Sequence, residues 1–428
     1  MCDSIESMFA CLSESLNCAA KSVIPVFRSD FLKYWWNQEL DELKSNSCSS
    51  HSNWLDAGRP MHGPIYDAKR RAKAAYKNCI RSNQKMEQQS VSNDLHDALI
   101  QKSTNCFWKS WHNKFGKKKV TPKSVEGLVD EQLIANEFAE YFCFNGITES
   151  TADCILLENT FMERLANYRN DADVGNLQID VELVDCVISK LKKGKASGAD
   201  HLSSEHFLYC HPIVISILAM LFNLMIKYEF VPDFFGLGIL IPIPKNDANS
   251  NFDKCSDYRG ICVSSIISKI FELCVVENIK DSLYTSDAQF GFKPGIGCNH
   301  AIYTARVIIN HCTSNCSTVN LCALDVSKAF DKVNHYALFL KLIDRKISRN
   351  LICLLYNWYS KIFALVRWNS CLSHMVKIST GVRQGGILSP YFFAILVDDL
   401  LIKLNASSFG CRFCGLIFML SCMRTTYC

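Results

Sequence analysis

The chain has few residues that interrupt regular structure, with 19 glycines and 10 prolines among 428 residues. That scarcity excludes a collagen-like chain and a broadly disordered one. A long apolar run is missing too. The longest, Pro212 to Ile226, contains Asn223 and is too short to span a bilayer, so it reads as a buried helix. Where a secretory leader would carry basic residues stand Asp3 and Glu6, so no signal peptide is expected. The 23 cysteines are odd in number and scattered, which suits a reduced, intracellular protein of the nucleus or cytoplasm. A lone CxxC, Cys411 to Cys414, has no second pair to complete four zinc ligands.

Acidic residues are absent from one stretch in particular. From Lys69 to Lys85 every charged side chain is basic, and Lys117, Lys118 and Lys119 follow. The net charge of +4 is mild, but these runs suit a polyanionic partner through counterion release. They suit a solvated helix face equally well. Lys69, Arg70, Arg71 and Lys73 are the candidate nucleic-acid contacts. Trp35, Trp36, Trp54, Trp108 and Trp111 punctuate the same region. Such rings either stack on bases or anchor helix packing.

What is present supports a sizeable core, since 49% of the residues are hydrophobic. Ile5, Phe9, Leu12, Leu16 and Val23 recur mostly at steps of three and four and predict an amphipathic helix. After about residue 178 the pattern changes. Asp180 caps a predicted helix with Leu183, Val184, Val187, Ile188 and Leu191 on one side. A helix is expected over 212–228, a buried strand over 236–242, and another helix over 264–283. Then come a short strand over 319–324, a helix over 350–359, and a strand pair at 363–368 and 374–379. Pro390, at a first-turn position, opens a last helix to about residue 404. Mixed strands and helices indicate an α/β or α+β domain.

Two segments carry chemistry. In Leu321–Asp331 an apolar strand delivers Asp325, then a small-residue turn, Phe330 and Asp331. Nucleotidyl transfer by two metal ions needs a carboxylate fixed in this way; an ordinary cap or turn aspartate is the plainer reading. In Gly381–Pro390 two adjacent glycines permit close backbone approach, and Gln384 offers both donor and acceptor. A helix turn capped by Ser389 is the plainer reading there.

Together, in this order, the two segments resemble motifs A and B of a reverse transcriptase palm. Three upstream blocks reinforce the resemblance: Lys195–Asp200; Ile241–Lys245 with Asp257–Ile261; and Gln289–Gly295. The family usually has proline where Gly260 stands. The Trp-rich basic region is similar to the linker that precedes the polymerase in non-long-terminal-repeat retrotransposons of the long interspersed element type. The resemblance implies right-hand polymerase fingers and an incomplete palm, preceded by a helical basic linker. It places the linker at 1–178, fingers at 179–320 and palm at 321–428. It also implies roles. Asp325 and the Val326 carbonyl would bind Mg²⁺ (or Mn²⁺), and Lys245 and Arg259 would meet the triphosphate. Phe330 would be a gate against a ribose 2′-hydroxyl, and Gln384 and Gly385 would contact the nucleotide. The implied partners are an RNA template, a DNA primer and deoxynucleoside triphosphates, with no membrane.

Such an enzyme also needs a Tyr-x-Asp-Asp hairpin, motif C. Asp398-Asp399 is rejected for that part, because its segment has helical period and adjacent residues on a helix diverge by about 100°. The last seven residues, Cys422–Cys428, contain no acid. They are compatible with codons that, read one base out of phase, give Tyr-Ala-Asp-Asp-Ile-Leu. The 428 residues are therefore expected to be truncated before motif C and inactive as a polymerase. A non-catalytic nucleic-acid-binding remnant and a maturase-like intron protein are the alternatives.

Overall fold

The computed structural model describes residues 1–24, 35–115, 122, 124–144, 152–168, 177–245, 252–287, 289–293, 295–321, 326, 328–406, 411–413 and 416–418. Its architecture is mixed α/β, helices around a small mixed sheet. In chain order come helices α1 (Cys2–Val23), α2 (Gln38–Asp56), α3 (Pro64–Ile100), α4 (Thr104–Phe115), α5 (Glu131–Phe144) and α6 (Ala152–Asn167). Helices α7 (Val181–Ser189), α8 (Ser204–Leu208), α9 (Ile213–Tyr228) and α10 (Asp233–Gly236) lead into strand β1 (Leu237–Pro244). Next are β2 (Tyr258–Ser264), α11 (Ile266–Ile279), α12 (Cys298–Ser314), α13 (His335–Asp344) and α14 (Arg349–Ser360). Strands β3 (Phe363–Trp368), β4 (Cys371–Leu372) and β5 (Val376–Lys377), helix α15 (Ser389–Ala406) and the hairpin β6 (Cys411–Phe413) and β7 (Leu416–Phe418) complete the order.

The chain divides into two compact units, Met1–Val23 with Pro122–Cys428, and Ile24–Thr121. This division does not follow the boundary expected at residue 178, because α1, α5 and α6 belong with the later residues. Ile5, Phe9 and Leu12 of α1 and Phe161 of α6 are buried in one core with Phe222, Phe271 and Leu354. In α5, Ile134, Ala135, Phe138 and Ala139 recur at helical spacing and pack on Leu240, Ala364, Val366 and Trp368 of the sheet.

The sheet order is β2-β1-β3-β4, with β5 also on β3. Strand β1 runs antiparallel to β2 and parallel to β3. Apolar residues over 239–241 suit this central position, where β1 is buried or half-buried along its length. Asp180 caps α7 by accepting a hydrogen bond from the Leu183 amide at 2.7 Å, as its sequence predicts. Helices α9, α14 and α15 also lie where the pattern puts them. The strand expected over 319–324 does not form at 319–321, and 322–324 fall outside the described residues. Among the described residues no helix is long and apolar enough to cross a membrane.

The Ile24–Thr121 unit holds α2, α3 and α4. Two of its tryptophans are not core anchors: Trp108 is 51% exposed and Trp111 41%, both flanked by aromatic rings of α4.

A candidate nucleotide cleft

The turn between β1 and β2 brings two cations together. Ile243 faces Arg259 and Pro244 faces Tyr258 across the antiparallel pair. The Lys245 amide then donates to the Asp257 carbonyl at 2.8 Å, and the Lys245 ammonium to the Ser256 carbonyl at 2.6 Å. Lys245 and Arg259 therefore line one wall of a cleft with a volume of about 250 Å³.

The opposite wall comes from the segments over 328–333 and 381–384, which are stitched to each other. Gly381 donates its amide to the Val333 carbonyl at 2.7 Å, and Val382 to the Phe330 carbonyl at 2.8 Å. The Gln384 side-chain amide reaches the Asp331 carboxylate at 3.1 Å. The Gln384 carbonyl in turn accepts the Cys262 amide at 2.8 Å, docking this loop on β2. Gly385 makes that docking possible. Its φ is +117°, and a Cβ there would stand 2.5 Å from the Cys262 carbonyl oxygen. Gly381 is similar, with φ +89° and the Asp331 carbonyl oxygen 2.8 Å from where a Cβ would be.

Glu272, buried on α11, holds the loop from behind. Its carboxylate accepts from Arg383 at 3.1 Å, from the Leu388 amide at 3.0 Å and from the Ile387 amide. Arg383 also donates to the Phe235 carbonyl at 3.0 Å and lies over the Trp358 ring. His335 closes the support, its Nε2 donating to the Gly381 carbonyl at 2.7 Å. Burial pushes the His335 pKa down, the Gly381 bond opposing in part.

Lys328 and Asp331 also line the cleft, with Tyr141 and Phe142 of α5 as a further side. The Lys328 ammonium lies 4.7 Å from the Tyr141 ring centre. The basic groups Lys245, Arg259 and Lys328 line the cleft with a single carboxylate, Asp331, while Arg383 is already paired with Glu272. Burial pushes the Asp331 pKa up, while the Gln384 hydrogen bond and the Lys328 charge pull it down. An anion with several charges, such as a polyphosphate, suits this balance.

Of the residues singled out in the sequence, Lys245, Arg259 and Gln384 converge on the cleft, and Gly385 seats Gln384. Asp325 lies outside the described residues, as do Cys414 of the CxxC and Cys422–Cys428. Val326 is described and exposed. Phe330 does not line the cleft; it stacks on Phe393 at 4.8 Å and meets Phe292 edge-on at 6.1 Å. Lys69 lies 2.9 Å from the Trp54 ring centre, while Arg70, Arg71 and Lys73 are exposed. Asp398 and Asp399 lie on α15, as expected, and both have structural partners. Asp398 is 2% exposed, accepts the Ser286 amide at 2.7 Å and pairs with Arg345 at 3.4 Å; Asp399 pairs with Lys341. The sequence reading missed Tyr141, Phe142, Lys328, Asp331 and Glu272 as parts of the site. For Asp331 a signal existed, its place in the block with Asp325. For Glu272, an acid on an otherwise buried helix was the available cue.

Residues 243–419 match the family described as reverse transcriptase (RNA-dependent DNA polymerase). Similar proteins include a probable RNA-directed DNA polymerase from transposon X-element of Drosophila melanogaster, 26% identical over 218 residues. The RNA-directed DNA polymerase from mobile element jockey of Drosophila funebris is 26% identical over 227 residues. Its counterpart from Drosophila melanogaster is 22% identical over 401 residues, 85% of this chain. Over residues 243–419 the chain is thus similar to reverse transcriptases, and the relatives it resembles are polymerases of mobile elements. The first two alignments take in 50% and 52% of this chain; the three cover 24%, 24% and 42% of those relatives' own lengths. The reverse transcriptase match begins within β1 and takes in both motif segments, whereas α5 and its two cleft aromatics precede it.

Members of this reverse transcriptase family use divalent metals. The described cleft does not by itself fit such an ion. Asp331 is its one carboxylate and is bonded to Gln384, and no group of three or more metal-ligating side chains occurs among the described residues.

Proposed function

We propose that the chain is the RNA-directed DNA polymerase region of a retrotransposon, with this cleft receiving the incoming deoxynucleoside triphosphate. The convergence of Lys245, Arg259 and Gln384 carries the reading, because two blocks far apart in sequence supply groups to one cleft. The two cations would offset phosphate charge and hold the triphosphate. Gln384, held by Asp331 and β2, would meet the nucleotide with Gly385 beside it. Phe330 packs on Phe393 and Phe292 and does not line the cleft, so the gate role implied by the resemblance is not part of this reading. In this reading residues 179–320 are fingers, 321–428 an incomplete palm, and the basic helices before them a linker. Asp325 and the Val326 carbonyl are the groups that would hold Mg²⁺ or Mn²⁺. RNA template and DNA primer are the proposed partners, in the nucleus or cytoplasm.

Binding of a fluorescent deoxynucleoside triphosphate tests the cleft. Lys245→Ala and Arg259→Ala should each weaken it about tenfold, the worth of one charge-assisted hydrogen bond. Unchanged affinity in both variants would overturn the assignment. Primer extension tests the activity. A polypeptide of these 428 residues should give none, because one metal-binding carboxylate cannot offset the repulsion of two cations. A chain extended in the shifted phase, with Tyr-Ala-Asp-Asp restored, should polymerise, and Asp325→Ala should abolish that. A second reading, a nucleic-acid-binding remnant without catalysis, rests on the exposed cations of α3. It predicts RNA binding by both chains and extension by neither.

A further inference from the structure

A second pocket, of about 110 Å³, lies beside the cleft and has a different chemistry. Lys192, Lys195, Lys269, Ser203, Ser204 and Ser264 supply its polar lining, and no acid lines it. Ser264 is 2% exposed, and its hydroxyl has no hydrogen-bond partner among the described residues. A buried hydroxyl left unpaired costs about 1–3 kcal/mol, so a native structure that keeps one invites a ligand. Lys269 is half-buried in the first turn of α11, and its side chain makes no hydrogen bond or ion pair among the described residues. Burial depresses its pKa. Glu272 and Asp200, the carboxylates that act on it, are already engaged. Glu272 takes Arg383 and two backbone amides; Asp200 takes the Ser265 hydroxyl at 2.5 Å and the Leu202 amide at 3.3 Å.

The walls are rigid. At Gly198 a Cβ would stand 2.9 Å from the Ser264 carbonyl, so this backbone lies directly on the end of β2. Asn17 of α1 adds a hydrogen bond to the Asp200 carbonyl at 2.9 Å. The Lys195–Asp200 block is thus a clamp, with Lys195 at the mouth of the pocket. Ser264 follows the cleft residue Cys262 by two positions on β2, on the same face and about 7 Å further along. Ile387 likewise follows Gln384 by three. The pocket is a continuation of the cleft along one strand and one loop.

We propose that this pocket binds one phosphate group of a nucleic-acid strand that runs past the nucleotide cleft. Three ammonium groups and buried hydroxyls match a phosphodiester oxygen set, and the volume admits one such group. The assignment of the strand rests on the polymerase reading; the phosphate chemistry rests on the pocket alone.

Lysine acetylation footprinting of the 428-residue chain tests it, with inorganic phosphate and with a short single-stranded RNA as separate probes. Both should protect Lys269 and Lys195. Lys269→Met should weaken RNA binding about tenfold and lower its salt slope by about one. Ser264→Ala should weaken phosphate protection while raising the melting temperature of the ligand-free protein, since it removes an unpaired buried hydroxyl. Labelling of Lys269 and Lys195 unchanged by either probe overturns the pocket. Protection by inorganic phosphate alone overturns the nucleic-acid assignment. Either result with nucleotide binding intact at Lys245 and Arg259 leaves the polymerase reading standing, whereas loss of nucleotide binding strikes that reading and not the pocket.

Discussion

The two compact units are held together by different means. In the unit that contains the cleft, backbone groups far apart in sequence bond one another, as Gly381 does Val333 and Cys262 does Gln384. In the Ile24–Thr121 unit, Leu40 and Ala98 are the buried apolar residues among those described, and α3 turns most of its length to solvent. The first arrangement ties side chains and backbone groups together through hydrogen bonds of about 3 Å. The second presents charge without fixing it. A site that must align a reacting group needs the former, and a surface that only has to attract a polyanion can use the latter.

Glycine substitution should separate the units most strongly. Gly385→Ala puts a methyl group into the Cys262 carbonyl at a φ of +117° and should cost about 4 kcal/mol or prevent folding. Gly63→Ala, at φ +101° with nothing within 4 Å, should cost about 1 kcal/mol, the backbone strain alone. Urea denaturation of both variants measures the difference, and equal losses would show that the loop is not held by its docking on β2. Next in size is the ion pair behind the loop. Glu272→Ala strands Arg383 and two amides in the interior and should cost about 3–5 kcal/mol. The exposed Arg164–Asp344 pair at 2.7 Å should contribute under about 1 kcal/mol when broken.

Charge removal should reverse the ranking. Neutralising Lys69, Arg70, Arg71 and Lys73 should leave stability nearly unchanged and flatten the salt dependence of RNA binding by several units. A slope that does not move would return α3 to a plain solvated face. The smallest effect concerns pH. His335 has a pKa depressed by burial, so the stability it contributes as a neutral ring is fully present above the ordinary value of 6.5. It is lost as the pH falls toward the depressed folded value. Asp331 and Asp200, raised by burial, work in the opposite direction, so the comparison must be with His335→Gln. That variant should show a flatter decline of melting temperature below pH 6.5.

Much of the fold was legible because local chemistry dictated it. The Asp180 cap, the apolar spacing of α9 and the proline in the first turn of α15 each speak of their own helix. Strand β2 was not legible as a strand, since Arg259 and Gly260 interrupt any apolar alternation and its pairing with β1 decides the matter. In the site, blocks known from the family resemblance pointed to Lys245, Arg259 and Gln384. Nothing local marked Tyr141 or Phe142, because their role depends on a helix more than a hundred residues upstream folding back on the sheet. Glu272 was hidden for the same reason: its partners are over a hundred positions away. The second acid of motif A had to be seen beside Gln384 before its hydrogen bond could be known.

Phe142 carries a consequence for where this domain begins. Three carbons of its ring lie 3.3 Å from where a Cβ on Gly260 would be, so the ring takes the room that a side chain there would need. The aromatic residue and the bare backbone fit together although a hundred and eighteen positions separate them in sequence. The compact unit therefore reaches further back than residue 243, where the family match begins. A polypeptide cut at residue 243 to follow the family match would split β1, discard the ring and leave a bare glycine facing water. Its failure to fold would say nothing about the enzyme, only that inheritance and autonomy have different borders.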